Sequence, residues 1–440
     1  MSDEPLRPGY KRTEVGVIPQ DWEVRTLGAI STRFLNGGTP STKVPEFWNG
    51  DIPWITGADV INQKIQEIRR HITKNAVHNS ATNVISQGNL LVATRTGVGK
   101  LAIASFDVAI SQDLTGVYVD ECQAITEFVF RYLDYSSDNL KKHNQGTSIA
   151  GITRETLAAV KIPLPPLPEQ RAIAEALADV DALLAALDRL IAKKRAIKQA
   201  AMQDLLTGRV RLPGFVRQPG YKKTEVGLIP EDWSIKAIGN LFDFLSTSSC
   251  SRGDLSENGE IFYIHYGDIH TKWNYRLDFD LEFVPRIAAE KIKSATLLAD
   301  GDLVLVDASE DEPGAGKGIE IVNLKGRSAV PGLHTIALRG KTDELADGFK
   351  AYIQSIQVVK SQIRRLVTGL KVFGISKTSL ASVLVPFPSA PEQRAIAAVL
   401  SDMDAEIAAL ERRRAKTQAL KQGMMQELLT GRVRLVESKS

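Results

Sequence analysis

At 440 residues, with 43% apolar and 24% charged content, the chain is long enough for more than one hydrophobic core. Its 55 basic and 52 acidic residues leave a net charge of only +3, so any nucleic-acid surface has to arise from local clustering. Two distant cysteines, Cys122 and Cys250, exclude a disulfide framework and a cysteine-rich zinc site, and the six histidines show no metal-ligand spacing. No apolar run of about 18 residues and no signal-peptide pattern is present, which points to a cytoplasmic protein away from membranes.

The first element, residues 1–22, is a leading segment that ends in Gly9-Tyr-Lys-Arg-Thr-Glu-Val-Gly-Val-Ile-Pro-Gln-Asp-Trp22 and returns 211 positions later as Gly220-Tyr-Lys-Lys-Thr-Glu-Val-Gly-Leu-Ile-Pro-Glu-Asp-Trp233. Residues 23–163 form a first block of mixed α/β pattern. Short β-rich runs such as Asn89-Leu-Leu-Val-Ala-Thr94 and Leu101-Ala-Ile-Ala104 alternate with turn clusters such as Asn36-Gly-Gly-Thr-Pro40, and a helix is expected near 125–142. Gly97-Val-Gly-Lys100 has the outline of a phosphate loop. Thr94 stands where the first glycine is required and no Ser or Thr follows the lysine, so the segment reads as a turn between strands.

Residues 164–208 carry the first long spacer helix. Pro168-Glu-Gln-Arg-Ala-Ile-Ala174 opens it, with proline where a missing N–H costs nothing and glutamate in the first turn. Ile173, Leu177, Val180, Leu184, Leu187 and Ile191 then recur at 4,3 spacing, the seam of a coiled coil. Lys194 and Lys198 interrupt this seam, Ala201 and Leu205 resume it, and Gly208 ends the helix, whose 39 residues from Pro168 to Leu206 span roughly 58 Å at ~1.5 Å per residue.

Residues 209–233 are a linker and the repeated leading segment, and 234–387 are a second α/β block. Its β-rich run is Asp302-Leu-Val-Leu-Val-Asp307, and a helix is expected near 345–367. Gly314-Ala-Gly-Lys317 fails the phosphate-loop pattern in the same way, with Asp311 in the glycine position, and Glu310-Asp-Glu312 reads as a solvated acidic loop. Residues 388–431 hold the second long helix, opened by Pro391-Glu-Gln-Arg-Ala-Ile-Ala397, 223 positions after the first copy. Its seam is Ile396, Leu400, Met403, Ile407 and Leu410; Arg414 and Thr417 interrupt it, Met424 and Leu428 resume it, and Gly431 ends it before a tail over 432–440. Leu205-Leu-Thr-Gly-Arg-Val-Arg-Leu212 returns as Leu428–Leu435. Like ends around unlike middles describe a duplicated scaffold enclosing two diverged domains. Two equally long, similarly patterned helices in one chain are expected to pair with each other, antiparallel.

On these repeated motifs the chain resembles the specificity subunits of type I restriction-modification systems. Within the blocks, Gly38-Thr-Pro, Ile52-Pro-Trp-Ile-Thr, Thr94-Arg-Thr-Gly-Val-Gly-Lys, Ile110-Ser-Gln-Asp and Gly146-Thr-Ser resemble one kind of target recognition domain. Tyr266-Gly-Asp-Ile-His, Gly301-Asp-Leu-Val-Leu-Val-Asp-Ala-Ser-Glu-Asp, Gly332-Leu-His-Thr and Gly374-Ile-Ser-Lys resemble another. The resemblance implies two tandem α/β (α+β) target recognition domains, separated by two long helices that form an intramolecular antiparallel coiled coil. It implies a pseudo-two-fold, circular organisation in which Gly9–Trp22 lies where a continuation after Leu435 would lie. Each domain would read one half of an asymmetric bipartite site on double-stranded DNA, with the helices setting the gap. Partners would be two adenine-N6 methyltransferase subunits that use S-adenosylmethionine, and restriction subunits driven by ATP with magnesium. No catalytic residue, cofactor or metal is expected in this chain, which shows no amine-methylation motif. The alternative is a stand-alone site-specific DNA-binding or architectural protein without enzyme partners.

Bases are read by side chains reaching groove edges, so polar loop residues are the candidates. In the first domain they are Thr39, Ser41, Lys43, Thr94, Arg95, Lys100 and Gln112; in the second, His265, Tyr266, Asp268, His270, Lys272, Lys317 and His334. Trp22, Trp54 and Trp233 are expected to fill cores or seal domain–helix junctions. Lys193-Lys-Arg195 and Arg412-Arg-Arg414 are expected to be solvated cations late in a helix, or a face for the methyltransferase.

Overall fold

The 4,3 apolar spacing becomes one continuous helix over Leu167–Leu205 and another over Ala390–Leu428, each of 39 residues. The computed structural model describes residues 6–66, 68–142, 151–215, 220–309, 314, 316–368 and 373–436. Gly146-Thr-Ser and Glu310-Asp-Glu312 lie outside the described residues. Internal contacts divide the chain into two compact units, Met1–Asp188 with Arg412–Ser440, and Arg189–Glu411. Each unit holds one α/β block, the first half of one long helix and the last half of the other.

In the first unit, strands 101–103, 90–93, 114–119 and 31–36 form an antiparallel sheet in that order. A second sheet has the order 70–72, 48–55, 108–110 and 83–85, with 48–55 and 108–110 parallel. The second unit repeats this plan with unrelated residues. Its main sheet runs 318–322, 303–306, 335–340, 242–245, with 275–278 added in parallel at the 318–322 edge. Its smaller sheet runs 286–287, 261–264, 329–331, again with a parallel pair. All four residues of Leu90–Ala93 and of Leu303–Val306 are buried, so these unbroken apolar runs are central strands covered on both faces. Each block is closed at its ends by one strand pair: Lys161–Leu164 against Glu23–Thr26, and Leu384–Phe387 against Ser234–Ala237. The expected helices occur as Thr126–Tyr135 followed by Ser137–Lys142, and as Lys350–Ile353 followed by Gln357–Leu366.

The half-helices pair antiparallel inside each unit. In the first unit Lys421 contacts Asp181, and Arg414 contacts Asp188, so one index rises as the other falls. In the second, Lys194 pairs with Glu406, Lys198 with Asp404 and Arg195 with Glu411. Ile173, Leu177, Leu184, Leu187, Ile191, Ile396, Leu400 and Ile407 are buried, while Val180, Met403 and Leu410 are half-buried at the seam's margin. Two expectations change. The seam resumes one residue later than its spacing suggested, at Met202 and Met425, because Ala201 and Met424 are only half-buried. The basic runs are not wholly solvated cations: Lys194, Arg195 and Arg414 are spent on acidic residues of the opposite helix. Lys198 and Lys421 stand 223 positions apart, as do Asp181 and Asp404, so the same ion pair, a buried lysine on a half-buried aspartate, occurs twice. Each pair takes a third partner from its own domain, Arg131 on Asp181 and the Tyr352 hydroxyl on Asp404.

The repeated motifs meet at a second duplicated contact. Trp22 Nε1 donates to Glu169 at 3.0 Å, and Arg434 spans Glu169 and Asp21, reaching the Asp21 oxygens at 2.9 and 2.7 Å. Trp233 Nε1 donates to Glu392 at 3.0 Å, and Arg211 spans Glu392 and Asp232. The glutamate of each Pro-Glu-Gln-Arg is therefore a buried acceptor as well as a first-turn anion. The next residue docks the domain: Gln170 accepts from Ile125 N and donates to Pro165 O, and Gln393 accepts from Ala346 N and donates to Pro388 O. Gly208 and Gly431 end their helices at φ +69° and +70°. A Cβ there would come within 2.5 Å of Pro230 and 2.4 Å of Pro19, so glycine is needed both for the left-handed cap and for the close approach. Tyr10 donates to Gly431 O at 2.9 Å, which places the N-terminal segment on the exit of the second long helix, as a circular organisation requires.

Removing one partner of a buried ion pair leaves the other charge uncompensated. Arg211→Ala, which strips Glu392 of its guanidinium where both side chains are 2% exposed, is expected to cost about 3–5 kcal/mol in urea unfolding of the full chain. Arg434→Ala, at a side chain 21% exposed, is expected to cost less. Equal, negligible losses would contradict the buried-charge account.

Candidate nucleic-acid interface

In the first unit, four loops come together where the two sheets end: 37–41, 56–59, 94–100 and 111–113. Backbone bonds fasten them, from Gly38 N to Ile110 O at 2.9 Å, Ser111 N to Ile55 O at 2.9 Å and Thr94 N to Asp113 O at 2.8 Å. The buried Trp54 supports the first loop by donating to Gly38 O. On this frame Thr39 and Gln112 are exposed and hydrogen-bonded to each other, bringing together two residues 73 positions apart. Ser41 is exposed and accepts from Lys43 N, and the Lys43 and Arg95 side chains are exposed at the same loops. Thr94 requires correction as a base-reading candidate. It is 6% exposed and its hydroxyl is shared with the buried Thr115, so it fixes the strand end. Asp113 was not anticipated. It accepts from Thr96 Oγ1 through its side chain and from Thr94 N through its backbone, and only the folded chain brings those groups to it.

The two glycine-lysine segments are turns, as expected, and occupy equivalent places in the two blocks. Lys100 N bonds Gly97 O between strands 90–93 and 101–103; Lys317 N bonds Gly314 O between strands 303–306 and 318–322. Lys100 Nζ donates to Gly57 O at 3.0 Å and Lys317 Nζ to His270 O at 2.9 Å. Each lysine thus ties its turn to the segment that follows the smaller sheet's parallel strand, a loop at Gly57 and the helix Tyr266–Thr271 at His270. Burial pulls the Lys317 ammonium below the usual lysine range.

In the second unit the candidates gather around the six-residue helix Tyr266–Thr271. His265 caps it, its Nδ1 accepting from Gly267 N at 3.0 Å, and is 6% exposed; burial, then the Arg252 charge, hold its pKa below the ordinary value. Its ring stacks on Tyr266 with centroids 4.6 Å apart, and His334 and His270 meet Tyr266 edge-on at 5.4 and 6.3 Å. His265 is therefore a cap and a ring support, which corrects its assignment as a direct reader. His334 is exposed and sits at φ +56°, a conformation an L-residue adopts when its surroundings impose it. Asp307 lies beneath it, 3.5 Å from Nδ1, and burial raises the Asp307 pKa. His270 Nε2 is buried without a hydrogen-bond partner. Asp268 also requires correction: it is fully buried and receives Arg252 and Lys272, so it cannot present its carboxylate to a base. Arg252 and Asp307 are the residues of this second cluster that sequence reasoning missed. Asp307 stood inside a quoted motif, whereas Arg252 gains its meaning from a partner 16 positions away.

Among the described residues no group of three or more His, Cys, Asp or Glu side chains is arranged to hold a metal, and no helix is long and apolar enough to cross a membrane.

With this geometry established, the chain matches the family described as type I restriction modification DNA specificity domain over residues 19–198 and 230–421. It is 26% identical over 428 residues to the specificity subunit of the type I restriction enzyme MjaVIII from Methanocaldococcus jannaschii, covering 95% of this chain and 94% of that one. Over 168 residues, 37% of this chain and 41% of the relative, it is 32% identical to a type I restriction enzyme specificity subunit of Escherichia coli. The crystal structure of a type I restriction-modification S subunit from M. genitalium shares the fold, with a TM-score of 0.57 at 14% identity, covering 96% of this chain and 99% of that one.

The half-buried carboxyl of Asp307 gives a test of strain at this cluster. Because its folded pKa is raised, the stability it contributes is present below the unfolded value and is lost as pH rises through the folded one. Asp307→Asn is expected to be more stable than the parent chain at neutral pH, with the difference vanishing below pH 3.8 in thermal melts across a pH series. A less stable variant at neutral pH would show that the carboxylate is favourably held.

Proposed function

The chain belongs to the type I restriction modification DNA specificity family, and on that premise we propose that it is the non-catalytic, sequence-reading subunit of a cytoplasmic restriction-modification complex. One domain reads each half of an asymmetric bipartite DNA site. The observation that carries this reading is the pairing of one strand order with two unlike loop clusters: Thr39, Gln112 and Arg95 in one block, Tyr266, His270 and His334 in the other. A scaffold repeated twice with different polar groups at the same place suits two different half-sites.

Two adenine-N6 methyltransferase subunits, using S-adenosylmethionine, and restriction subunits, using ATP and magnesium, supply the chemistry in this reading. A stoichiometry of two is supported by the duplicated leading hairpins. Each turns an apolar side chain to solvent at the same position, Val17 at 44% and Leu228 at 70% exposure, and each helix exit exposes an equivalent valine, Val433 and Val210. Co-expression with the methyltransferase is expected to give a stable complex that methylates adenine in two half-sites separated by a fixed gap. The isolated chain is expected to leave DNA unmodified with S-adenosylmethionine, ATP and magnesium. Turnover by the pure chain that a point substitution within it abolishes would overturn the proposal.

In this reading the long helices set the gap. The boundaries between compact units fall after Asp188 and after Glu411, so a heptad inserted at both points leaves the pairs Arg414–Asp188 and Arg195–Glu411 within their units. Seven residues lengthen each helix by about 10 Å, equivalent to ~3 base pairs, and keep the apolar phase. Methylation mapping is expected to return unchanged half-sites with a longer gap. Activity retained only at the original gap would show that the helices do not measure DNA.

A further inference from the structure

The buried Asp268 has no place in direct base reading, yet it holds two exposed cations of the second domain's cluster. Its oxygens accept from Arg252 Nη1 at 3.1 Å and Nη2 at 2.9 Å, and Lys272 Nζ lies 2.9 Å from the same carboxylate. The carboxylate is fully buried, whereas the arginine and lysine side chains are 56% and 47% exposed. One anion below the surface therefore fixes two cations at it, and the site keeps a net positive charge. The opposing contact comes from two directions: Arg252 from a short turn closed by the Ser251–Asp254 capping box, and Lys272 from the end of helix Tyr266–Thr271. An arginine doubly bonded to a carboxylate still has its remaining N–H groups to offer, and a lysine has three donors. A phosphate takes such donors without regard to sequence, which suits positioning better than readout.

We infer that Asp268 is a positioning residue that pre-organises Arg252 and Lys272 as a clamp for a phosphodiester of the DNA backbone, setting the register in which Tyr266, His270 and His334 meet the bases. This rests on the DNA-reading function proposed above. A long flexible cation loses rotamer freedom when it grips a phosphate, and one already held by a buried carboxylate has lost it before the DNA arrives.

The clamp makes a prediction opposite in sign to simple charge counting. Asp268→Asn removes a negative charge near DNA, so Coulombic attraction alone would tighten binding and steepen its salt dependence. With Arg252 and Lys272 released, binding is instead expected to weaken, on the order of tenfold, and the slope of log affinity against log salt to fall by between about 1 and 2. The measurement is a fluorescence-anisotropy titration of the full chain, assembled with its methyltransferase partner, on a duplex carrying the methylation-mapped site. Arg252→Ala and Lys272→Ala, at exposed positions, test the clamp even if the Asn variant does not fold; each is expected to lower the slope by about 1. Asp268→Asn added to the Arg252→Ala/Lys272→Ala double variant is expected to weaken binding no further, a non-additivity that a merely structural aspartate would not show. Tighter binding by Asp268→Asn, or unchanged slopes in both alanine variants while the parent complex binds, would overturn the clamp and leave the DNA-reading function standing. Failure of the parent complex to bind any duplex would bring down both.

Discussion

A buried glutamate at the start of each long helix, Glu169 or Glu392, is the constraint on which the rest of the structure depends. A carboxylate without solvent is tolerated only with donors around it, and here an indole and a guanidinium provide them. The tryptophan comes from a leading segment, the arginine from a helix exit, and the glutamate from a helix start. Three separate stretches of chain must therefore converge for the charge to be satisfied. In the second unit the exit and leading segment are close in sequence, Arg211 and Trp233. In the first they lie at opposite ends of the chain, Arg434 and Trp22, and the same chemistry joins them. The duplication thus produces a circular connection because each arginine completes the site made by the other copy's frame.

The rigid frame permits unlike loops. The block ends are fixed by the closing strand pairs and by Gln170 and Gln393, and the long helices are fixed in register by the repeated pairs of a buried lysine with an aspartate, Lys198 with Asp404 and Lys421 with Asp181. Within each block the sheet order is shared, and a lysine at one hairpin turn ties that turn to the segment beside it. The residues left over at the loop surfaces differ in kind, hydroxyl and amide on one side, imidazole and phenol on the other. Loops on a scaffold held this way can change their polar groups without disturbing the core, which is how binding sites are commonly built.

Much of the frame was legible in the sequence because its signals are local or repeated. The two long helices followed from the 4,3 period and the terminal glycines, 164–208 and 388–431 in the sequence lying within a few residues of Leu167–Leu205 and Ala390–Leu428. The roles of Glu169 and Glu392 went beyond a first-turn anion because their partners arrive from other copies of the repeat. The shift of the seam to Met202 and Met425 was hidden because the period alone does not say how a domain leans on a helix. At the candidate interface, the residue types were legible and their roles were not. Thr94, His265 and Asp268 are polar residues beside turns, and only burial shows that they support Thr115, helix Tyr266–Thr271 and the Arg252–Lys272 pair. The common strand order of the two blocks left no trace in sequence, since apolar runs as different as Leu90–Ala93 and Leu303–Val306 serve equally as buried central strands.

The claim that reading is confined to the loops while the frame only holds them is tested most directly by exchanging residues 23–163 for the corresponding block of another specificity subunit. Trp22, Glu169, Gln170 and Arg434 would be kept, and the methylated adenines mapped in a host that also carries the methyltransferase. The account predicts that one half-site changes to that of the donor protein while the other half-site and the gap stay as they were. A simultaneous change of both half-sites would contradict it.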